Sequence, residues 1–385
     1  MLRKQVKNLI GNLTSNEYDV LNRIEISRAA LLQNLDIFQK IRPNIGVIPV
    51  IKANAYGHGL SVVTSILNDA DCTFLAVDGY FEASKIRDIT KHRILVLGYI
   101  KPDNVALVDI KKCSFVVQDQ SCLEAFGGLD KEVNIQIELN TGMNRLGTSE
   151  DELKDYLNTL KKFSKLNLEG VMTHLADADN PDDDTFTQSQ VSRFESMLQT
   201  IKDAGFDPQY VHVAQTAGSV KVTSKYANCM RLGIGLYGIN PLSESDDDYQ
   251  ELTSLKPVLE LKSTIIKMLD LKKGERVSYN GIYTATKDVR VGVLPIGYYE
   301  GVPRALSNRG SVSIGDLDPP IVGRVCMNHT MIELDGLEGN VGTEVVVISN
   351  NPNRRNSVKQ LCKDHDLFSY ELLTGLSSTI RRNIV

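Results

Sequence analysis

The chain has 385 residues, 42% of them apolar and 24% charged, with a formal net charge of −5. That length suits two domains, and the balance is that of a soluble globular protein. The acidic net charge, with no basic run, excludes a nucleic-acid surface, and no apolar run approaches the ~18 residues of a membrane span.

The first residues, 1–19, are polar with scattered lysines and lack the apolar centre of a secretory signal, which predicts a cytoplasmic protein. Residues 19–27 read as a strand. The next apolar run, 47–51, fits a strand buried on both faces; it ends at Lys52 and a glycine-rich turn holding Tyr56 and His58. Further strand-length runs come at 74–77, 94–97, 114–117, 133–139, 168–174, 210–213 and 229–236. Amphipathic stretches lie between them, such as 150–163 and 187–204. Eight alternations of this kind predict a parallel (β/α) barrel of eight strands. The strand at 19–27 would be a ninth, so its place is open between the barrel and the C-terminal part of the chain. After Pro257 the segments become short, β-branched and turn-punctuated, at 289–296, 310–314, 320–327, 331–334 and 341–348, with helical spacing only near 358–373. They predict a mostly β C-terminal domain. The boundaries are set at 15–255 for the barrel and 256–385 for the β domain, with residues 1–14 a candidate to pack on the latter.

A lysine at the carboxyl end of a buried barrel strand sits where such enzymes keep their chemistry. Among apolar walls its amine would lose its proton readily and could form a Schiff base or act as a base. A strand-end lysine can also simply reach out to water. Residues after the other strands converge on the same mouth: Glu138 and the loop with Arg145, then His174, Thr216, Arg231, Gly233 and Ile234. Backbone amides beside glycines after late barrel strands form a phosphate site, to which Tyr56 and Thr216 add hydroxyls. A phosphate anchor beside a Schiff-base lysine points to pyridoxal phosphate. The six cysteines and six histidines show no metal-ligand spacing, so no metal is expected.

The segment VIPVIKANAYGHG at 47–59 resembles the pyridoxal-phosphate attachment signature of bacterial alanine racemases. The likeness continues through TGMNRLG (141–147), GVMTHLADAD (170–179), RLGIGLYG (231–238), VSYNGIYTA (277–285), LPIGYYEG (294–301) and GRVCMNHTMIEL (323–334). The resemblance implies a two-base racemase supplying D-alanine for peptidoglycan. Lys52 would hold the cofactor as an internal aldimine and serve the D-enantiomer, and Tyr279 would be the base for the L-enantiomer. Tyr279 and Met327 would come from the partner subunit of a homodimer with shared sites. Arg145 and Met327 would bind the substrate carboxylate. Tyr56, Thr216, Gly233 and Ile234 would hold the phosphate, Arg231 would face the pyridine nitrogen, and His174 would bridge Arg231 to Tyr279. Glu138 stands where many members carry a carbamylated lysine, and would orient Arg145 directly as a charged pair. Asn140, Gln215, Thr216 and Asn328 are conservative departures. Ser378, or Thr379, stands where the family usually has a pocket tyrosine, which leaves a broader alanine and serine racemase as the alternative. A fold-related decarboxylase would show a glycine triplet and a cysteine–aspartate pair, and neither is evident. A cofactor-binding protein without catalysis would not need Tyr279.

Overall fold

The computed structural model describes residues 19–385. They form two compact units, one of residues 27–258 and one of residues 19–26 with 259–383. The placement of residues 1–14 on the β domain lies outside the described residues.

The strand β1 (Arg23–Ile26) belongs to the second unit. Its side chains alternate, with Ile24 and Ile26 buried and Arg23 and Glu25 partly exposed. That pattern suits an antiparallel sheet with one wet face, whereas parallel barrel strands are apolar on both. The eight barrel strands are β2 (Gly46–Pro49), β3 (Leu75–Val77), β4 (Ile94–Val96), β5 (Cys113–Val117), β6 (Val133–Glu138), β7 (Leu166–Met172), β8 (Tyr210–His212) and β9 (Cys229–Leu232). They pair in parallel in the order β2-β9-β8-β7-β6-β5-β4-β3. The amide of Thr73 donates to Val47 O, and that of Ile51 to Ala76 O, so β3 returns to β2 and closes the barrel. Strands β3, β4 and β5 are buried at every residue. Ile48, Val50, Phe74, Leu95, Val116 and Met172 fill the interior.

Helices cover the outside. The helix Glu150–Leu160 starts at a capping box of Ser149 and Glu152 and buries Leu153, Tyr156, Leu157 and Leu160. The helix Thr185–Asp203 buries Val191, Phe194, Leu198 and Ile201 at helical spacing. The expected strand 229–236 ends at Leu232. Gly233 leaves the β region (φ −92°, ψ −111°), and Ile234–Tyr237 forms a 3-10 turn.

In the second unit, β10 (Leu259–Thr264) pairs with β1 and with β16 (Glu344–Ile348), and β17 (Arg381–Ile384) completes a four-stranded sheet. A second sheet joins β11 (Lys267–Leu271), β14 (Val289–Leu294) and β15 (Thr330–Glu333); β12 (Arg276–Val277) pairs with β13 (Tyr283–Thr284). The expected strands at 310–314 and 320–327 appear only as isolated bridges, Ser311 with Pro320, Ser313 with Val346 and Ile321 with Ile332. Turn residues interrupt both, so pairing never runs past single bridges.

Candidate active site

All eight barrel strands point the same way, so their carboxyl ends meet at one mouth. Lys52 follows β2 after Val50 and Ile51 and opens a left-handed turn. Ala53, Asn54, Ala55 and Tyr56 all have φ between 51° and 55°. Each costs about 1–2 kcal/mol against the right-handed form, so neighbours must hold the turn. Asn54 Oδ1 accepts from the Leu60 amide (2.9 Å), and the Asn54 amide donates to Glu82 Oε1 (3.2 Å). The result aims Lys52 and Tyr56 into the mouth. The Lys52 side chain is not walled in by apolar groups, contrary to the expectation from its sequence setting. It is 38% exposed, and Nζ lies 3.1 Å from Asp78 Oδ1. A polar, glycine-rich turn after the strand leaves its end open to water.

The Tyr56 ring lies against buried Tyr237, with centroids 5.0 Å apart, and Tyr237 Oη donates to Val50 O at 3.0 Å. Burial, then the charge of Asp78, push the Tyr56 phenol up to about 12, so it acts as a neutral donor. A Cβ built on Gly233 would lie 3.0 Å from Tyr56 Oη and 3.8 Å from Thr216 Oγ1. Glycine thus keeps a space open between two hydroxyls at the end of β9. Thr216 is buried and accepts from the Gly235 amide at 3.3 Å. Tyr56, Thr216 and Gly233 therefore meet in one cradle, with Ile234 next along the chain, and it has the hydroxyls and the room that a phosphate needs.

Arg231 is buried in β9, and its partners lie at the ends of the next two strands, β8 and β7. Nη1 donates to His212 O and to His212 Nδ1, each at 3.0 Å; Nη2 donates to Thr173 O and Val213 O and lies 3.5 Å from His174 Nδ1. Since an arginine only donates, His212 Nδ1 must accept and the ring proton sits on Nε2. That nitrogen lies 2.6 Å from Gln136 Oε1. Burial lowers Arg231 to about 10, with Glu138 opposing and Arg145 adding to the fall. It stays charged at neutral pH. Burial first, then the charges of Arg231, Arg145 and Lys52, push His174 down to about 3. His212 is driven well down by burial and Arg231. Both imidazoles are neutral ligands of a fixed cation.

Glu138 ends β6 and is buried. Burial raises its carboxyl, and Arg231, Arg145 and Lys52 pull it back in that order. Among the described residues no hydrogen bond or ion pair joins Glu138 to Arg145. Arg145 instead stands exposed in a loop that folds on Asn140, whose Oδ1 accepts from the Gly142 and Asn144 amides at 3.2 and 3.0 Å. The cation with the larger effect on Glu138 is Arg231.

Tyr279 and Met327 belong to the second unit. Tyr279 is 69% exposed in a turn between two residues of positive φ, Ser278 (65°) and Asn280 (62°). Ser278 Oγ donates to Arg324 O at 2.8 Å and lies 3.3 Å from Cys326 Sγ, so the segments bearing Tyr279 and Met327 are joined. Met327 is 55% exposed, and its carbonyl accepts from the Tyr299 amide at 2.9 Å. Ser378 and Thr379 are exposed in a turn near the chain end.

Three residues of the mouth were not singled out by sequence. Gln136 sits between Ile135 and Ile137 in β6 and is buried, and a buried polar position is itself a signal. His212 lies in an expected strand beside that of Arg231. Asp78 is the first residue after the expected strand 74–77, so the rule that collected Lys52 would have collected it.

The family descriptions "Alanine racemase, N-terminal domain" and "Alanine racemase, C-terminal domain" match residues 26–241 and 258–384. The chain is 32% identical over 375 residues to an alanine racemase of Staphylococcus saprophyticus, covering 96% of each. Its structure superposes on alanine racemase of Clostridium difficile 630 with a TM-score of 0.88 at 27% identity, covering 96% of this chain and 97% of the other. It superposes on that of Bacillus anthracis with bound L-Ala-P with a TM-score of 0.86 at 29% identity, covering 96% of each.

Proposed function

The chain belongs to the alanine racemase family and is an isomerase that interconverts L- and D-alanine; we propose that it does so with pyridoxal phosphate held on Lys52 and two bases on opposite faces of the substrate. The observation that carries this reading is the cradle kept open by Gly233 between Tyr56 and Thr216, in the same mouth as Lys52. Its donors and its room fit a phosphate. The amides of Gly233 and Ile234 would complete the hold, and Arg231 would face the ring nitrogen.

When bound, pyridoxal phosphate supplies a sink for the charge left on the α-carbon. The rest falls to the chain. Lys52 Nζ carries the proton on the D face, and Tyr279 Oη carries it on the L face. Arg231 keeps its protons and would give none to the ring nitrogen, which would limit the sink and with it transamination. His174 and His212, both neutral, hold the guanidinium in place without competing for charge. Arg145 and the Met327 amide orient the substrate carboxylate. Glu138 offsets the positive charge of Arg231 and Arg145. The high exposure of Tyr279 and Met327 supports their being offered to a partner subunit in a homodimer with two shared sites. We place the reaction in the cytoplasm, with its D-alanine supplying peptidoglycan. No helix of the described residues is long and apolar enough to cross a membrane.

The test is reconstitution with pyridoxal phosphate, borohydride reduction, peptide mass mapping, and a chiral assay on a panel of amino acids. The expected result is an adduct on Lys52 and alanine as the preferred substrate. An adduct elsewhere, or no alanine turnover, overturns the reading. In the same panel, serine turnover that falls in Ser378→Tyr would support the broader range.

A further inference from the structure

Asp78 makes the closest polar contact to Lys52, and neither the phosphate cradle nor the pair of bases uses it. Oδ1 lies 3.1 Å from Lys52 Nζ. Although the Asp78 side chain is exposed, its backbone is clamped. Its amide donates to Glu82 Oε2 at 3.0 Å, and its carbonyl accepts from the Gly98 amide at 2.6 Å. Only a glycine permits that approach, because a Cβ on residue 98 would lie 2.7 Å from Asp78 O. The other oxygen of Glu82 accepts from the Asn54 amide at 3.2 Å. One carboxylate therefore ties the left-handed turn that carries Lys52 to the loop that carries Asp78, and the Lys52–Asp78 distance is set by both.

We propose that Asp78 is a further catalytic residue: its carboxylate is the acceptor on which the Lys52 amine rests, left when Lys52 captures the cofactor and regained each time substrate frees the amine. This rests on the proposed function. Capture joins Nζ to the aldehyde carbon, and the aldehyde oxygen leaves as water with two hydrogens of the neutral amine. The nitrogen keeps neither of those hydrogens, so capture forfeits the bond donated to Asp78, and the contact opposes capture. When substrate takes Lys52's place, the two hydrogens of the substrate amine pass to Nζ, and Lys52 is again a free amine. On the D face it then takes the α-proton. It now carries three hydrogens and a positive charge, and Asp78 offers a charge-assisted acceptor, the stronger class of hydrogen bond. Removing Asp78 should therefore speed one step and slow another, which mere structural damage would not do.

The experiment uses Asp78→Ala and the isosteric Asp78→Asn in the full chain, with two readouts. The first is the rate at which cofactor-free protein captures pyridoxal phosphate, followed by absorbance and by borohydride trapping. Asp78→Ala is expected to capture about two- to fivefold faster, the worth of a partly exposed ion pair. The second is α-proton exchange from each enantiomer measured separately. Exchange from D-alanine should fall by a similar factor of about two to five, because the same partly exposed pair is lost, while exchange from L-alanine holds. Asp78→Asn keeps an acceptor oxygen without the charge and should fall between parent and Asp78→Ala in both. Glu82→Ala, which loosens both loops, should give the same pair of changes in weaker form. Capture and exchange falling together, or neither moving, overturns the role of Asp78 alone. A parent that captures no pyridoxal phosphate overturns the proposed function, and this role with it.

Discussion

Arg231 is the most constrained side chain of the barrel mouth, and its neighbours are adjusted to it. A buried cation is costly unless it is well bonded, and here it has three carbonyls, two imidazoles and the field of Glu138. The arrangement has a consequence for folding. His174 is held at about 3 when folded, against an ordinary value of 6.5. Between those limits the unfolded chain binds a proton there that the folded chain does not. Stability from this group is full above the upper limit and is lost as pH falls through the window. The loss at pH 5 relative to pH 7.5 is about 2 kcal/mol. Urea unfolding at the two pH values should therefore show a larger acid loss in the parent than in His174→Asn, by about that amount. Equal losses would mean that His174 is protonated in the folded protein.

The left-handed turn after Lys52 inverts the usual rule for alanine and glycine. Ala53 is exposed at φ 53°, where glycine is at ease and a β-branched residue is not. Ala53→Gly should hold or raise stability, by up to about 1 kcal/mol, whereas Ala53→Val should cost about 2 kcal/mol or more. Thermal unfolding of both variants checks this, and a glycine variant less stable than a valine one would show that the turn is not strained. The alternation of apolar runs with amphipathic stretches made the barrel legible, because strands buried on both faces leave unbroken apolar runs. It made β1 ambiguous only in address. The alternation of Ile24 and Ile26 with Arg23 and Glu25 already marks a one-faced strand, and that strand pairs with β10 far along the chain. Leu259–Thr264 and Lys267–Leu271 went unread because lysines, Glu260 and Asp270 break their apolar runs, and their faces are completed only by pairing. In the mouth, glycines, hydroxyls and Lys52 could be read because motifs group them. The Gln136–His212–Arg231 chain could not, since it runs across β6, β8 and β9, and which inward side chains meet is decided by barrel register.

The two units divide the proposed chemistry. The barrel holds Lys52, the cradle and Arg231, and the second unit holds Tyr279 and Met327 on exposed segments. If each site draws on two subunits, Lys52→Ala and Tyr279→Phe chains, each inactive alone, should regain activity when mixed, because a mixed dimer contains one site with both bases. Recovery after co-refolding, with mixed dimers confirmed by native mass spectrometry, is the expected outcome. Mixed dimers without activity would place both bases in one chain. The central claim is that this mouth moves one proton between the two faces of alanine, and racemisation in heavy water tests it most directly. Holoenzyme given pure L-alanine should produce D-alanine bearing one deuterium at Cα until the two enantiomers are equal, and Lys52→Ala should produce none. L-alanine that stays optically pure in the presence of cofactor-loaded protein would contradict the account.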